Sequence, residues 1–308
     1  MQPAESPRVI AHRGSSRRWP EHTRAAYRQA LADGADGLEC DVRLTSDRVA
    51  VCWHDVDVDR TSDGTGPVHE HTLAQLRRLD VTRDRTGHAA ATGPHDVAAS
   101  GPGEVLTLAE LVEIARGAGR PVHLAIELKH PSPYGYAAED AVLAVLERAG
   151  WDPVTGTVGS LSISLMSFHP GSLEHLAGAG RVPGEHLMVL LDEVDVATVA
   201  REHAPRRGAT LLVAVMLRRL IARARRLAGS GAVGGVGPSI SLVRSQPERV
   251  REWRAAGRLV RVWTVDERAD LDLCRTLGVD EVTTNVPADV LGWLGRDPGG
   301  EPAPQRSA

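Results

Sequence analysis

Four things are scarce in this chain of 308 residues, and each scarcity excludes something. It has only three cysteines, Cys40, Cys52 and Cys274, an odd number without a C-x-x-C pair. That argues against a disulfide framework or a cysteine zinc site and for free thiols in a reducing compartment. No apolar run reaches the roughly 20 residues of a membrane span, and Met1 to Pro7 show neither the charged nor the apolar region of a secretory signal. A cytoplasmic protein without stable membrane insertion is expected. Basic residues are not in excess: 36 against 40 acidic ones leave a formal net charge of -4. A nucleic-acid binder needs a cationic surface that this composition does not supply. A small anionic ligand remains compatible with it, because a local cationic site does not require a basic protein. The fourth scarcity is lysine, since Lys129 is the sole lysine among the 36 basic residues.

What is present is enough apolar material, 42% of the residues, to bury a large core. Short apolar runs alternate with helical patterns. Strands are expected at Val9 to Ala11 (ending at His12), Gly37 to Asp41, Val122 to Lys129, Leu161 to Ser167, Leu187 to Leu191, Val233 to Val236, Leu259 to Val265 and Glu281 to Thr284. Eight strands with helices between them point to α/β architecture, a closed (β/α)8 barrel over residues 8–295 rather than an open sheet. An insertion over about 56–106 is rich in Gly, Pro, Thr and His from Val81 to Gly103 and reads as a loop or small subdomain that could act as a lid. The tail, 296–308, has the composition of a disordered segment. The arginine-rich stretch Leu217 to Leu227 carries one apolar stripe. A membrane-surface helix has that pattern, but so does every outer helix of a barrel.

The chemistry is concentrated in Leu38 to Asp55. On an extended strand Glu39 and Asp41 share a face and Cys40 takes the other. Thr45 to Arg48 is too short for a parallel crossover, so the next run returns antiparallel. Folding about Ser46-Asp47 is expected to lay His54 opposite Glu39 and Cys52 opposite Asp41. Carboxylates that can hold a hard cation and an imidazole that can move protons would then share one space. Alternation in Val122 to Lys129 puts His123, Ala125, Glu127 and Lys129 on the inner face, with Glu127 and Lys129 at the C-terminal strand end where barrel enzymes carry their sites. In a chain that otherwise uses arginine, a compact ammonium there suits a point-charge contact to phosphate.

Together, His12-Arg13-Gly14, Pro20-Glu21-His22-Thr23, Glu39-Cys40-Asp41, His54-Asp55, Asp59-Arg60-Thr61, Asp63-Gly64-Thr65-Gly66, Glu127-Leu128-Lys129 and Val262-Trp263-Thr264-Val265 resemble, in order and spacing, the glycerophosphodiester phosphodiesterase family. The resemblance runs from Val9 to about Pro287. It implies a TIM barrel with a small insertion and metal-dependent hydrolysis of small glycerophosphodiesters to glycerol 3-phosphate and an alcohol. It also implies Glu39, Asp41 and Glu127 as ligands of one divalent cation, His12 and His54 as acid and base, Arg13 and Lys129 on the phosphate, and Trp263 against the glycerol. Three carboxylates are hard donors and favour Mg2+ or Ca2+ over zinc. A lysophospholipase D and a non-catalytic phosphodiester-binding barrel are the alternatives. The chain departs from the family pattern at His22, where the family usually has Asn, and at Asn285, where it usually has Asp. Neither departure is expected to touch a metal ligand. His69, His71, His88, His95 and His130 have no motif support and are expected at the surface.

Overall fold

The computed structural model describes residues 6–82, 104–196 and 210–296. Its strands in chain order are β1 (Arg8–His12), β2 (Gly37–Leu44), β3 (Ala50–Cys52), β4 (Val122–Leu128), β5 (Thr157–Val158), β6 (Leu161–Ser167), β7 (Leu187–Leu191), β8 (Gly235–Pro238), β9 (Leu259–Val262) and β10 (Glu281–Thr284). Each of β1, β2, β4, β6, β7, β8, β9 and β10 pairs in parallel with the next, and β10 pairs with β1. The sheet therefore closes into the expected eight-stranded barrel. All eight expected runs contribute a strand; the glycine-rich one lies two residues later than its apolar residues suggest, and β9 stops at Val262.

The helices are α1 (Arg24–Ala32), α2 (Leu73–Leu76), α3 (Leu108–Arg116), α4 (Ala137–Arg148), α5 (Pro170–Ala177), α6 (Thr210–Ser230), α7 (Ile240–Ser245), α8 (Pro247–Ala255), α9 (Arg268–Leu277) and α10 (Pro287–Trp293). Local chemistry sets their ends. The Thr107 hydroxyl accepts from the Glu110 amide while the Glu110 carboxylate accepts from the Thr107 amide, a capping box that starts α3. Thr72 and Gln75 do the same for α2, and Thr23 caps α1. The main core lies between the outer sheet face and these helices. The insertion builds a smaller core against the β3 segment from Val51, Trp53, Val58, Val68, Leu76, Val81 and Val105. Its stretch 83–103 lies outside the described residues, as does the tail from 297. Arg296, assigned by composition to a disordered tail, instead forms a two-pronged ion pair with Asp36, at 2.6 and 2.7 Å.

The barrel interior is layered. A middle layer of Ile10, Ala125, Met166, Met188 and Leu190 is apolar. Beneath it lies a charged floor: Arg261 Nε donates to Glu281 Oε2 at 2.5 Å and Arg261 Nη2 meets His123 Nε2 at 2.8 Å, while Arg8 pairs with Glu281 from the side. His123 is further held by the Ser162 and Ser164 hydroxyls. His123, Ser164, Arg261 and Glu281 are buried, so each depends on its partners for the hydrogen bonds that water would otherwise supply. Above the middle layer, the strand ends hold the catalytic candidates.

Candidate active site

Register assembles the carboxylates. The β2 and β4 ladder sets Asp41 beside Glu127, and the β1 and β2 ladder sets His12 beside Glu39. Ligand oxygens of Glu39, Asp41 and Glu127 lie within 4.8 Å of one another, all buried. Burial and mutual repulsion push Glu39 well above the ordinary carboxylate range and raise Glu127 to about 7. Against the same effect of burial, Lys129 and Arg13 hold Asp41 well below its ordinary value. Three hard oxygen donors, two of them short of compensating positive charge, fit a divalent cation.

Lys129 Nζ bridges Asp41 Oδ1 at 2.9 Å and Glu127 Oε1 at 2.7 Å. Arg13 Nε lies 3.0 Å from Asp41 Oδ2, and the Arg13 amide donates to Glu39 Oε2 at 3.1 Å. This close wrapping follows from the turn after β1, where Arg13 has φ 57° and Gly14 φ 88°. A Cβ on Gly14 would come within 2.6 Å of the Ala26 backbone, so only glycine lets the turn lie on α1.

The two histidines are oriented from behind. Asn285 Nδ2 faces the acceptor Asp266 Oδ2 at 2.6 Å, which leaves Asn285 Oδ1 to accept from His12 Nδ1 at 2.8 Å. His12 therefore carries its proton on Nδ1, and Nε2, 3.9 Å from Glu39, is the acceptor. Burial, reinforced by Arg13, lowers His12 to about 3. His54 Nδ1 bonds Asp55 Oδ1 at 2.5 Å, which likewise leaves its Nε2 for chemistry. Asp55 is gripped by Arg60, Arg60 by Glu21 and Glu21 by Arg13, so an unbroken chain of charges runs from His54 to Asp41. Arg13 and Arg60 overcome burial to hold Glu21 at about 2. Trp263 Nε1 donates to the Gly237 carbonyl, and its ring meets Phe168 edge-on with centroids 5.4 Å apart.

Three expectations need correction. The β2 and β3 hairpin returns antiparallel, but Cys52 faces Val42 rather than Asp41, and β3 ends before His54 could pair with Glu39. The loop holds one more residue than expected: Thr45 bonds Val49, with Arg48 at φ 62° between them. His54 is instead placed by Arg43, whose Nε donates to the His54 carbonyl at 2.9 Å. Second, His22 does touch a candidate ligand. Buried at φ 62°, it bonds Asp41 Oδ2 through Nε2 at 2.9 Å and the Tyr27 hydroxyl through Nδ1 at 2.7 Å. Third, His130 is not a free surface residue, because its Nε2 bonds the fully buried Glu139 at 2.6 Å. His88 and His95 lie outside the described residues. Glu21, Arg60 and Asn285 stand in the sequence motifs without an assigned place in the site, and no motif marks Tyr27 or Asp266. Only the fixed spacing of Pro20-Glu21-His22-Thr23 and Asp59-Arg60-Thr61 signalled any of these.

Comparison with known proteins identifies the family and the fold. The model of the glycerophosphoryl diester phosphodiesterase family matches residues 12–289. A probable glycerophosphodiester phosphodiesterase 1 from Mycobacterium tuberculosis is 37% identical over 295 residues, covering 94% of this chain and 93% of that protein. A glycerophosphodiester phosphodiesterase from Bacillus subtilis is 27% identical, covering 91% of this chain and 83% of its own length. In fold, the chain is similar to an Oleispira antarctica phosphodiesterase solved in complex with its product sn-glycerol-3-phosphate. There the TM-score is 0.70 at 22% identity, covering 94% of this chain and 97% of that one. With a family match across nearly the whole chain and a full-length relative at this identity, the chain belongs to the glycerophosphoryl diester phosphodiesterase family and is an enzyme, a phosphoric diester hydrolase.

Proposed function

We propose that this enzyme hydrolyses small glycerophosphodiesters to glycerol 3-phosphate and an alcohol, using one divalent cation, Mg2+ or Ca2+, held by Glu39, Asp41 and Glu127. The observation that carries this reading is the convergence of three buried carboxylates and two back-supported histidines at one end of the barrel. A bound cation would supply positive charge for the phosphate and ease deprotonation of a nearby hydroxyl. Lys129 and Arg13, poised at the carboxylates, hold phosphate oxygens. Trp263, braced by Phe168, packs on the glycerol carbons.

The glycerol 2-hydroxyl lies next to the phosphoester and is the nucleophile. One histidine takes its proton as oxygen attacks phosphorus, and the other protonates the departing alcohol. The roles then exchange as water opens the cyclic phosphate to glycerol 3-phosphate. The fixed Nδ1 contacts of His12 and His54 keep both Nε2 atoms available for this relay. The three cysteines are free and buried, which supports a reducing compartment such as the cytoplasm. Among the described residues no helix is long and apolar enough to cross a membrane.

The test is release of glycerol 3-phosphate from a panel of glycerophosphodiesters with Mg2+, with Ca2+ and with EDTA. Turnover that stops on chelation and returns with either ion is expected. Binding of the panel without release from any member would make the protein a non-catalytic phosphodiester binder.

A further inference from the structure

The ends of β9, β10 and β1 are neighbours at the mouth of the barrel, and one line of hydrogen bonds crosses all three. The β1 and β10 ladder sets Ala11 beside Thr284, so the next residues out, His12 and Asn285, face each other. Asp266, in the loop that follows β9, reaches Asn285 from the other side, because β9 pairs with β10 and the Val265 amide continues that pairing to the Thr283 carbonyl. The two Asp266 oxygens do different things. Oδ1 accepts from the Asn285 backbone amide at 2.8 Å and from the Thr284 hydroxyl at 3.0 Å, which fixes the carboxylate to the strand end. Oδ2 accepts from Asn285 Nδ2 at 2.6 Å, and Asn285 Oδ1 then meets His12 Nδ1 at 2.8 Å.

A side-chain amide has a donor end and an acceptor end of nearly the same shape, so its hydrogen-bond partners decide which way it points. Of the groups bonded to the Asn285 side chain, two accept either orientation. His12 answers a flipped amide by moving its proton from Nδ1 to Nε2. The Ser16 hydroxyl lies 2.8 Å from Asn285 Oδ1 and 2.7 Å from the His12 carbonyl. It can donate to the amide oxygen, or accept from a flipped NH2 while donating to the carbonyl. Asp266 has no such freedom, because a carboxylate only accepts. It alone among these groups holds the amide in its present sense.

We propose that Asp266 is a positioning residue for the reaction: acting through Asn285, it holds His12 in the tautomer whose Nε2 can accept a proton. The inference rests on the phosphodiesterase reading above, in which His12 moves protons. His54 is set directly, by Asp55 on its Nδ1, whereas His12 is set at one remove. The relay has a polarity that an exchange of its two members preserves. In Asp266→Asn the amide oxygen keeps the Thr284 and backbone bonds, so the new NH2 faces Asn285, which must turn its own carbonyl toward it. The Asn285 NH2 then points at His12 Nδ1, and the His12 proton moves to Nε2. In that state Nε2 has no lone pair to take a proton, and an imidazolium would set its Nδ1–H against the amide NH2, so His12 fails as base and as acid alike. Adding Asn285→Asp places a carboxylate between the new NH2 and His12. It accepts from both, and the Nδ1 proton returns.

The experiment compares the full chain with Asp266→Asn, Asn285→Asp and the double variant. Steady-state kinetics on glycerophosphocholine at saturating metal give kcat and KM, and the ring 15N shifts of His12, assigned by their loss in His12→Gln, report its tautomer. Asp266→Asn should lower kcat about 100- to 10,000-fold, the range of a lost general acid or base, with KM little changed, and should move the proton to Nε2. Asn285→Asp alone sets two carboxylates face to face and should be comparably impaired. The double variant should recover kcat to within about ten-fold of the wild type and restore Nδ1–H. If Asp266→Asn did not fold, the double variant would still decide, since only a relay regains activity and tautomer when both members are exchanged. A His12 tautomer unchanged by Asp266→Asn, or a double variant no better than the single ones, would overturn the proposal. If the tautomer inverted and returned while even the wild type left glycerophosphocholine and the rest of the glycerophosphodiester panel intact, the relay would stand and the phosphodiesterase reading would fall.

Discussion

The charged floor of the barrel should make the fold acid-labile in a way that one substitution can isolate. Glu281 is fully buried and, despite the upward push of burial, is held at about 2 by Arg261 and Arg8 against an ordinary value of 4.5. A carboxylate lowered on folding stabilises the native state above its unfolded value, and that contribution drains away as pH falls toward the folded value. The gap from 4.5 to about 2 corresponds to about 3 kcal/mol. Glu281→Gln keeps the volume but leaves Arg261, 1% exposed, without its carboxylate. Breaking a buried pair from one side costs about 3–5 kcal/mol, so the variant should be less stable by that amount at pH 7. Below pH 4.5 the wild type loses its own contribution, and by pH 3 the difference should have narrowed by about 2 kcal/mol. His123, held below its ordinary value first by burial and then by Arg261, adds an acid loss below pH 6.5. Glu281 partly opposes that lowering, so both proteins are compared in a His123→Gln background, which removes the imidazole's own titration. Urea midpoints at constant m, taken from pH 7 to pH 3, measure the difference. Parallel curves through that range would refute an ionised Glu281 as the keystone of the floor.

Four further outcomes are expected. Glu127→Gln and Asp41→Asn should each abolish metal-dependent turnover while circular dichroism shows a folded barrel, and near wild-type activity at limiting metal in either would remove that residue from the cation site. Lys129→Arg should lose about a hundred-fold or more in kcat, because a planar guanidinium cannot sit as a point charge between Asp41 and Glu127; ordinary kinetics would reduce Lys129 to a structural ion pair. His22→Ala should raise the metal concentration needed for half-maximal activity about 10- to 100-fold, since it removes one of the two groups, with Arg13, that orient Asp41 Oδ2, and an unchanged metal titration would argue against that role. A substrate analogue lacking the glycerol 2-hydroxyl should bind competitively yet resist cleavage, and its rapid hydrolysis would mean direct attack by water.

Alternation within single strands was the most readable feature of this sequence. It put Glu39 with Asp41, and Glu127 with Lys129, on shared faces, and parallel pairing of β2 with β4 then brought the two pairs together. The hairpin register differs by one residue from the expected one because it depends on Arg48 adopting a left-handed conformation, which no residue pattern announces. A whole-residue slip normally moves a side chain to the other face of a sheet. Here the error did not displace His54, because that residue lies beyond the ladder and is fixed by Arg43 and Asp55. Contacts made by barrel closure were out of reach. His12 and Asn285 are 273 residues apart, and Arg261 and His123 are 138 apart. Nothing local distinguishes them from other polar residues at strand ends. His22 shows the limit most clearly: a family departure that looked peripheral by sequence is bonded to Asp41, because the same left-handed turn that carries Pro20-Glu21 over the barrel mouth folds the imidazole inward. Lys129 shows the opposite case, in which scarcity itself carried information. In a chain that uses arginine everywhere else, the one ammonium lies at 2.7 and 2.9 Å from two candidate metal ligands, a space that a guanidinium would fill with a larger plane. The substitution that tests this site most sharply is thus the exchange this sequence makes at all its other basic positions.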